Sequence, residues 1–268
     1  MPGFYRGGSR QATARVPTLE ATNPPRHFSP ILLSAQLNMK PLQYITLHEG
    51  DCMDILPGIA SQSFDLAIVD PPYYSGPERR QFYGSKVSSI GVARHNYPIA
   101  EKWLVPSAEY FDELLRVAKY YIVWGCNYFD YVFAHGRIVW DKCNGKSSFS
   151  DCEIAATNLI ESVRLFPFMW NGMCQGKSMS EGRIMQGNKA LNEKRIHPTQ
   201  KPVALYAWLL HTFAKKGWTV LDTHLGSGSS AIACYELGHP MVGIEVDHNY
   251  YKAAEKRLIE YQRQLKLF

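Results

Sequence analysis

From Tyr44 onward, short apolar runs alternate with stretches of helical period. Runs at Tyr44–His48, Phe64–Val69, Tyr120–Trp124, Arg137–Trp140, Val163–Phe168, Val220–Asp222 and Met241–Glu245 predict strands, being short and rich in β-branched and aromatic residues. Phe111, Leu114, Leu115 and Ala118 recur at helical spacing after Ser107, a residue type suited to an N-cap. Leu205, Trp208, Leu209 and Phe213 repeat that stripe. At the C-terminus Ala254, Leu258, Tyr261 and Leu265 form an apolar face opposite Lys252, Lys256, Arg257 and Arg263. Strands interleaved with helices predict an α/β fold: a mainly parallel twisted sheet with helices on both faces. No internal repeat is visible.

Residues 1–38 depart from this pattern. Arg6, Arg10, Arg15 and Arg26 face only Glu20, among Gly, Ser, Thr and Pro, which predicts a flexible basic N-terminal arm. Patterned sequence begins just after Met39, which could serve as an alternative start, so residues 39–268 are expected to form a single folded domain.

Composition then narrows the classes. With 46% hydrophobic and 20% charged residues over 268 positions, the chain reads as globular rather than disordered. No apolar run approaches the ~18 residues of a membrane span, and Met1–Arg6 lacks the apolar core of a signal peptide. Cysteines at 52, 126, 143, 152, 174 and 234 include no CxxC pair, so neither a zinc site nor a disulfide framework is expected. A cytoplasmic protein without metal is the expectation. The net charge of +5 is compatible with a nucleic-acid partner without demanding one.

Three motifs carry chemistry. Asp70-Pro71-Pro72-Tyr73 follows the Phe64–Val69 run, and strand carboxyl ends are where open α/β sheets bind ligands. Two prolines stiffen the turn and leave bare carbonyls. The turn therefore presents a carboxylate, a carbonyl and an aromatic ring, a set suited to an aromatic amine; a merely stiff turn is the plain alternative. Val220–Ala231 takes a strand through a Gly-rich turn (Asp222, His224, Gly226, Ser227, Gly228, Ser229) into a helix, where a cofactor can approach the backbone. Glu245 ends the next predicted strand and suits two ribose hydroxyls. The same Gly-rich turn fits a loose dinucleotide fingerprint, so a nicotinamide-dependent oxidoreductase is a rival reading. His197-Pro198-Thr199-Gln200-Lys201-Pro202 offers hydroxyl, amide and ammonium donors beside a helix start, or is simply a loop leading into that helix.

Taken together and in this order, DPPY, HPTQKP and then the Gly-rich turn, the motifs resemble the beta class of S-adenosylmethionine-dependent DNA amino-methyltransferases over residues 44–262. The resemblance implies a Rossmann-like methyltransferase fold with permuted motif order, and methylation of an exocyclic base nitrogen. It implies a catalytic turn of Asp70, Pro71, Pro72 and Tyr73. It implies cofactor contacts at Asp51, Asp222, His224, Gly226, Ser227, Gly228, Ser229 and Glu245, with Thr199, Gln200 and Lys201 closing the site. Ile138–Lys142 with Glu153 resembles the family's middle block. Where His224 and Thr223 stand, the family usually has an aromatic and Pro; the His is expected to stack in the aromatic's place.

The implied substrate is double-stranded DNA with a flipped target base; a homodimer is compatible with the class, and a restriction endonuclease partner is not legible. DPPY is commoner for adenine N6, which leads, with cytosine N4 as the alternative. Carbon-5 methylation is disfavoured because no Pro-Cys pair occurs. A silent nucleic-acid-binding module sits poorly with an intact DPPY. DNA contacts are expected from two small insertions. At about 74–106, Arg79, Arg80, Lys86 and Arg94 are interleaved with Tyr74, Phe82, Tyr83 and Tyr97. At 173–196 lie Lys177, Arg183 and Lys189, with Lys194 and Arg195.

Overall fold

The computed structural model of the protein describes residues 44–73, 105–145, 150–171 and 174–264. The expected basic arm, Met39, the side chains Arg79, Arg80, Lys86 and Arg94 with their aromatic neighbours, and Leu265 lie outside these residues.

The chain runs through β1 (Ile45–Glu49), α1 (Cys52–Ile55), β2 (Phe64–Val69), α2 (Ala108–Val117), β3 (Ala118–Trp124), β4 (Gly136–Asp141), β5 (Cys152–Thr157) and β6 (Val163–Pro167). A short hairpin of β7 (Trp170–Asn171) and β8 (Cys174–Gln175) precedes α3 (Val203–Phe213), β9 (Val220–Asp222), α4 (Ser229–Leu237), β10 (Met241–Glu245) and α5 (His248–Arg263). Eight strands form one sheet in the order β1-β10-β9-β2-β3-β5-β4-β6. Every expected strand is present within a residue or two. β5 was not foreseen. It pairs antiparallel with both β3 and β4, while the remaining neighbours are parallel, so the sheet is mixed and mainly parallel.

The strand period of two explains the layers. In β2, Leu66 and Ile68 face a core shared with Leu205 and Leu209 of α3, Ala231 and Ile232 of α4, and Ala254 and Leu258 of α5. Ala67 and Val69 point the other way, against Tyr110, Phe111, Leu114 and Val117 of α2; Phe64, at the strand's first residue, joins that cluster out of the alternation. Helices thus cover both faces, and β2 reads as an almost unbroken apolar run because both its faces are buried. Ser107 occupies the N-cap position of α2, but its side chain makes no cap bond to the helix amides. Asp247 does cap α5, accepting from the amides of Asn249 (2.9 Å) and Tyr250 (3.1 Å). Ala118, expected on the α2 stripe, instead opens β3.

One side chain fixes the strand neighbours that matter most. Asp65 Oδ2 accepts from the Thr219 amide and hydroxyl, each at 3.0 Å, and so ties the start of β2 to the start of β9. With the starts pinned and the strands parallel, their carboxyl ends emerge side by side.

Candidate active site

Four parallel strands deliver the site. At the carboxyl ends of β1, β10, β9 and β2 stand Asp51, Glu245, the Thr223-His224-Leu225-Gly226 turn and Asp70–Tyr73. Residues far apart in sequence therefore share one edge of the sheet. A cleft runs along that edge in two parts. The inner part is lined by Asp70–Tyr73, Thr199–Lys201, Leu225–Ser227 and Asp247. The outer, about 330 Å³, is lined by Asp51–Met53, Val105–Ser107, Tyr110 and Thr223. Pro72, His224, Glu245 and Val246 line both parts and so mark where they join.

Asp70 anchors the inner part. Its Oδ2 is ion-paired with the Lys201 ammonium, while Oδ1 is buried without a hydrogen-bond partner among the described residues. Lys201, only 4% exposed, also contacts Glu153 on β5 at 2.9 Å, and Glu153 is paired in turn with Lys142 at 2.5 Å. Burial pushes the Asp70 carboxyl up, against the pull of Lys201. Against burial, Lys201 and Lys142 pull Glu153 down to about 2. Burial would lower the Lys201 ammonium, but Asp70 and Glu153 hold it well above its ordinary range. The result is a buried alternating row, Lys142–Glu153–Lys201–Asp70, ending at the cleft.

Tyr73 completes the turn. Its ring stacks on Tyr128, with centroids 4.6 Å apart and planes 6° from parallel. Gly125, left-handed at φ +69°, opens the turn that carries Tyr128.

The Gly-rich turn is held from beneath. Asp222 accepts from the His224 amide (3.0 Å) and the Ser230 hydroxyl (2.6 Å), and burial pushes its carboxyl up to about 7. Glu245 accepts from the amides of Gly226 (2.7 Å) and Asp247 (2.9 Å), and burial raises it too. His224 packs edge-on to Tyr110, with centroids 5.2 Å apart, and burial lowers it to about 4, so the ring is neutral at pH 7.

Residues 169–256 match the DNA methylase family, in its N6/N4 division. Over that span the chain is similar to N6/N4 DNA methylases. It is 24% identical to the type II methyltransferase M.HpaI of Haemophilus parainfluenzae over 78% of this chain and 72% of that one. With the type II methyltransferase M.HinfI of Haemophilus influenzae it shares 26% identity over 80% and 68%. Among solved structures, the M1.HpyAVI–SAM complex aligns with a TM-score of 0.49 at 18% identity, over 80% of this chain and 99% of that one. The cytosine-N4-specific PvuII DNA methyltransferase aligns at 0.47 and 13%, over 82% and 94%.

These matches favour the methylase reading of the Gly-rich turn over the nicotinamide one. The expected residues separate into two groups. Asp51, Asp70, Pro71, Pro72, Tyr73, Thr199, Gln200, Lys201, His224, Gly226, Ser227 and Glu245 all line the cleft. Asp222, Gly228 and Ser229 stand behind its wall. Asp222 is spent on the turn's own donors, Gly228 is the left-handed cap of α4, and the Ser229 hydroxyl accepts from Arg257 at 3.0 Å. Lys201 is engaged by two carboxylates. Gln200 spends its amide on Glu193 at 2.9 Å and on the Ile196 amide at 2.9 Å.

Three residues of this architecture were not singled out from sequence. Tyr128 lies after a Gly-Cys-Asn turn that carries no motif by itself. Glu193 and Arg257 meet beneath the Gly-rich turn, Arg257 also donating to the Ser227 carbonyl at 2.8 Å. Glu193 in addition accepts from the first amide of α3 at 3.0 Å, a carboxylate at the positive end of a helix. Of the expected DNA contacts, Lys177, Arg183 and Lys189 are exposed; Lys177 pairs with Glu181 (2.9 Å) and Arg183 with Asp141 (3.1 Å).

Proposed function

We propose that this methylase transfers a methyl group from S-adenosylmethionine to the exocyclic N6 of adenine in DNA. The observation that carries the reading is Asp70 Oδ1, a buried carboxylate oxygen without a hydrogen-bond partner among the described residues, on a turn that also presents the Pro71 carbonyl and the Tyr73 ring. A buried acceptor left unmade is costly unless a ligand supplies the donor. An aromatic amine supplies two.

The cleft also fits the cofactor. Among the described residues its lining carries the carboxylates Asp51, Asp70, Glu245 and Asp247 against the one ammonium of Lys201, an excess of negative charge suited to a cationic ligand. The outer part, at about 330 Å³, has the room of a small-ligand site for the nucleoside end. Glu245, where the two parts join, is placed to accept from ribose hydroxyls. A neutral His224 adds no positive charge there.

When bound, the cofactor supplies a methyl group on a cationic sulfur, whose C–S electron pair stays on sulfur as the new C–N bond forms. Asp70 Oδ1 and the Pro71 carbonyl accept the two N–H bonds of the base amine, which turns the nitrogen lone pair out of ring conjugation and toward the inner cleft. Tyr73 offers the base a ring face on which to stack. The surplus proton leaves along the hydrogen bond to Asp70 and on to water. Positioning and fixed charge therefore carry the step, without a covalent enzyme adduct. The target base leaves the duplex at a cost of roughly a few kcal/mol. Exposed Lys177, Arg183, Lys189 and Lys194 are suited to phosphates.

Incubation of DNA with labelled cofactor, digestion to nucleosides and mass spectrometry is the test. N6-methyladenine is expected; N4-methylcytosine in its place would overturn the choice of base and leave the turn's chemistry standing.

A further inference from the structure

We propose that Lys201 and Glu153 are positioning residues that hold Asp70 by its Oδ2, so that Oδ1 alone is presented to the substrate amine. The proposal rests on the amine-methylating reading above. It gives Lys201 a different task from binding the carboxylate of a cofactor.

The geometry is specific. A carboxylate at the end of a strand can rotate about its last bond, and a rotated Asp70 would offer the substrate neither oxygen at a fixed place. Lys201 removes that freedom by taking Oδ2. Lys201 is itself held: its Nζ also meets Glu153 at 2.9 Å and lies 5.6 Å from the centre of the Trp124 ring. Glu153 is fixed on the other side by Lys142. The Gln200 carbonyl, one residue earlier, accepts from Trp170 Nε1 at 2.7 Å, which pins the backbone that delivers Lys201. The ammonium is therefore buried, doubly paired and close to Trp124, on a backbone that Trp170 pins.

The arrangement also has an electrostatic sense. Asp70 accepts hydrogen bonds from the amine most strongly, and can take up the surplus proton, when ionised, and burial favours the protonated acid. The groups that face it are Lys201 before α3, Glu153 on β5, Lys142 after β4, Tyr206 on α3 and Asp222 at the end of β9. Of these, Lys201 and Lys142 favour the carboxylate, and Lys201 is the one in direct contact. Glu153 and Asp222 oppose it. Lys201→Met and Glu153→Gln should therefore shift the ionisation of Asp70 in opposite directions.

The test is the pH profile of single-turnover methylation on the full chain, together with calorimetry for S-adenosylmethionine and a thermal melt for each variant. In Lys201→Met the acid limb should move up by about one pH unit or more. Turnover near pH 7 should fall about tenfold or more and recover partly toward pH 9, with cofactor affinity little changed. In Glu153→Gln, which keeps the shape, the limb should move down. That variant decides the matter if Lys201→Met does not fold. Loss of cofactor binding in Lys201→Met with an unmoved pH limb would overturn the proposal and return Lys201 to the cofactor. Unshifted limbs in both variants would also overturn it. A wild-type chain that methylates no base would instead overturn the function itself.

Discussion

Gly125 lies so close to Tyr73 that a Cβ built on it would stand 2.4 Å from the ring's Cδ1. The turn after β3 and the turn after β2 are thus shaped for each other: a residue without a side chain lets the aromatic of the Asp70–Tyr73 turn lie flat against Tyr128. Gly125→Ala also imposes a Cβ at φ +69°, which costs roughly 1–2 kcal/mol. The expected outcome is a melting temperature lower by a few degrees and methyl transfer down about a hundredfold, because a displaced ring misplaces the base. Cofactor affinity, measured by calorimetry, should hardly change. Retention of full activity would mean that Tyr73 does not position the base.

Glu245 joins the two parts of the cleft and holds two backbone amides. Glu245→Ala should weaken S-adenosylmethionine by about 1–3 kcal/mol, roughly five- to 150-fold in Kd. Glu245→Gln should lose less, since it keeps one acceptor oxygen. An unchanged Kd in the Ala variant, with an unchanged melt, would remove Glu245 from the ribose site.

His197 is buried, and burial lowers it to about 3, outweighing the attraction of Asp247. The unfolded chain takes up this proton as pH falls through about 6.5, while the folded chain refuses it until far lower. The contribution is therefore full above about pH 6.5 and declines as the pH falls toward 3. Between pH 7 and 5 the loss should reach about 2 kcal/mol. Urea unfolding of wild type and His197→Phe at both pH values checks this: the variant should show the smaller decline with acid, and equal declines would show that His197 is not the group responsible.

Target recognition should be short or relaxed. Residues 174–196 form only one strand of a two-residue hairpin and a single 3-10 turn at Lys189–Leu191, little with which to read several base edges in a major groove. Their exposed cations are suited to phosphate contacts, which position without specifying, so affinity should fall steeply with salt. Sequencing of methylated DNA at single-base resolution decides it: confinement to one motif of about five bases or more would place recognition elsewhere in the chain.

The sequence by itself determined the strands that bury on both faces, because runs such as Phe64–Val69 have one reading at that length and composition. It also marked the Asp70–Tyr73 turn and the Gly-rich turn, since prolines fix the backbone locally and glycines admit left-handed conformations that other residues avoid. β5 escaped it: Cys-Glu-Ile-Ala-Ala-Thr has neither the β-branched density nor the alternation of a strand, and it is held by pairing on both sides with β3 and β4. Only the tertiary structure decided which polar groups face ligand and which face one another. Asp222 and Glu245 each end a strand before a turn, yet Asp222 is consumed by Ser230 and the His224 amide, whereas Glu245 lies at the cleft. Lys201 reads as a cofactor donor until Asp70 and Glu153, from two other strands, are found at its ammonium. Local sequence fixes backbone shape within a few residues, but ion pairs join residues through the sheet order, and no local signal encodes that order.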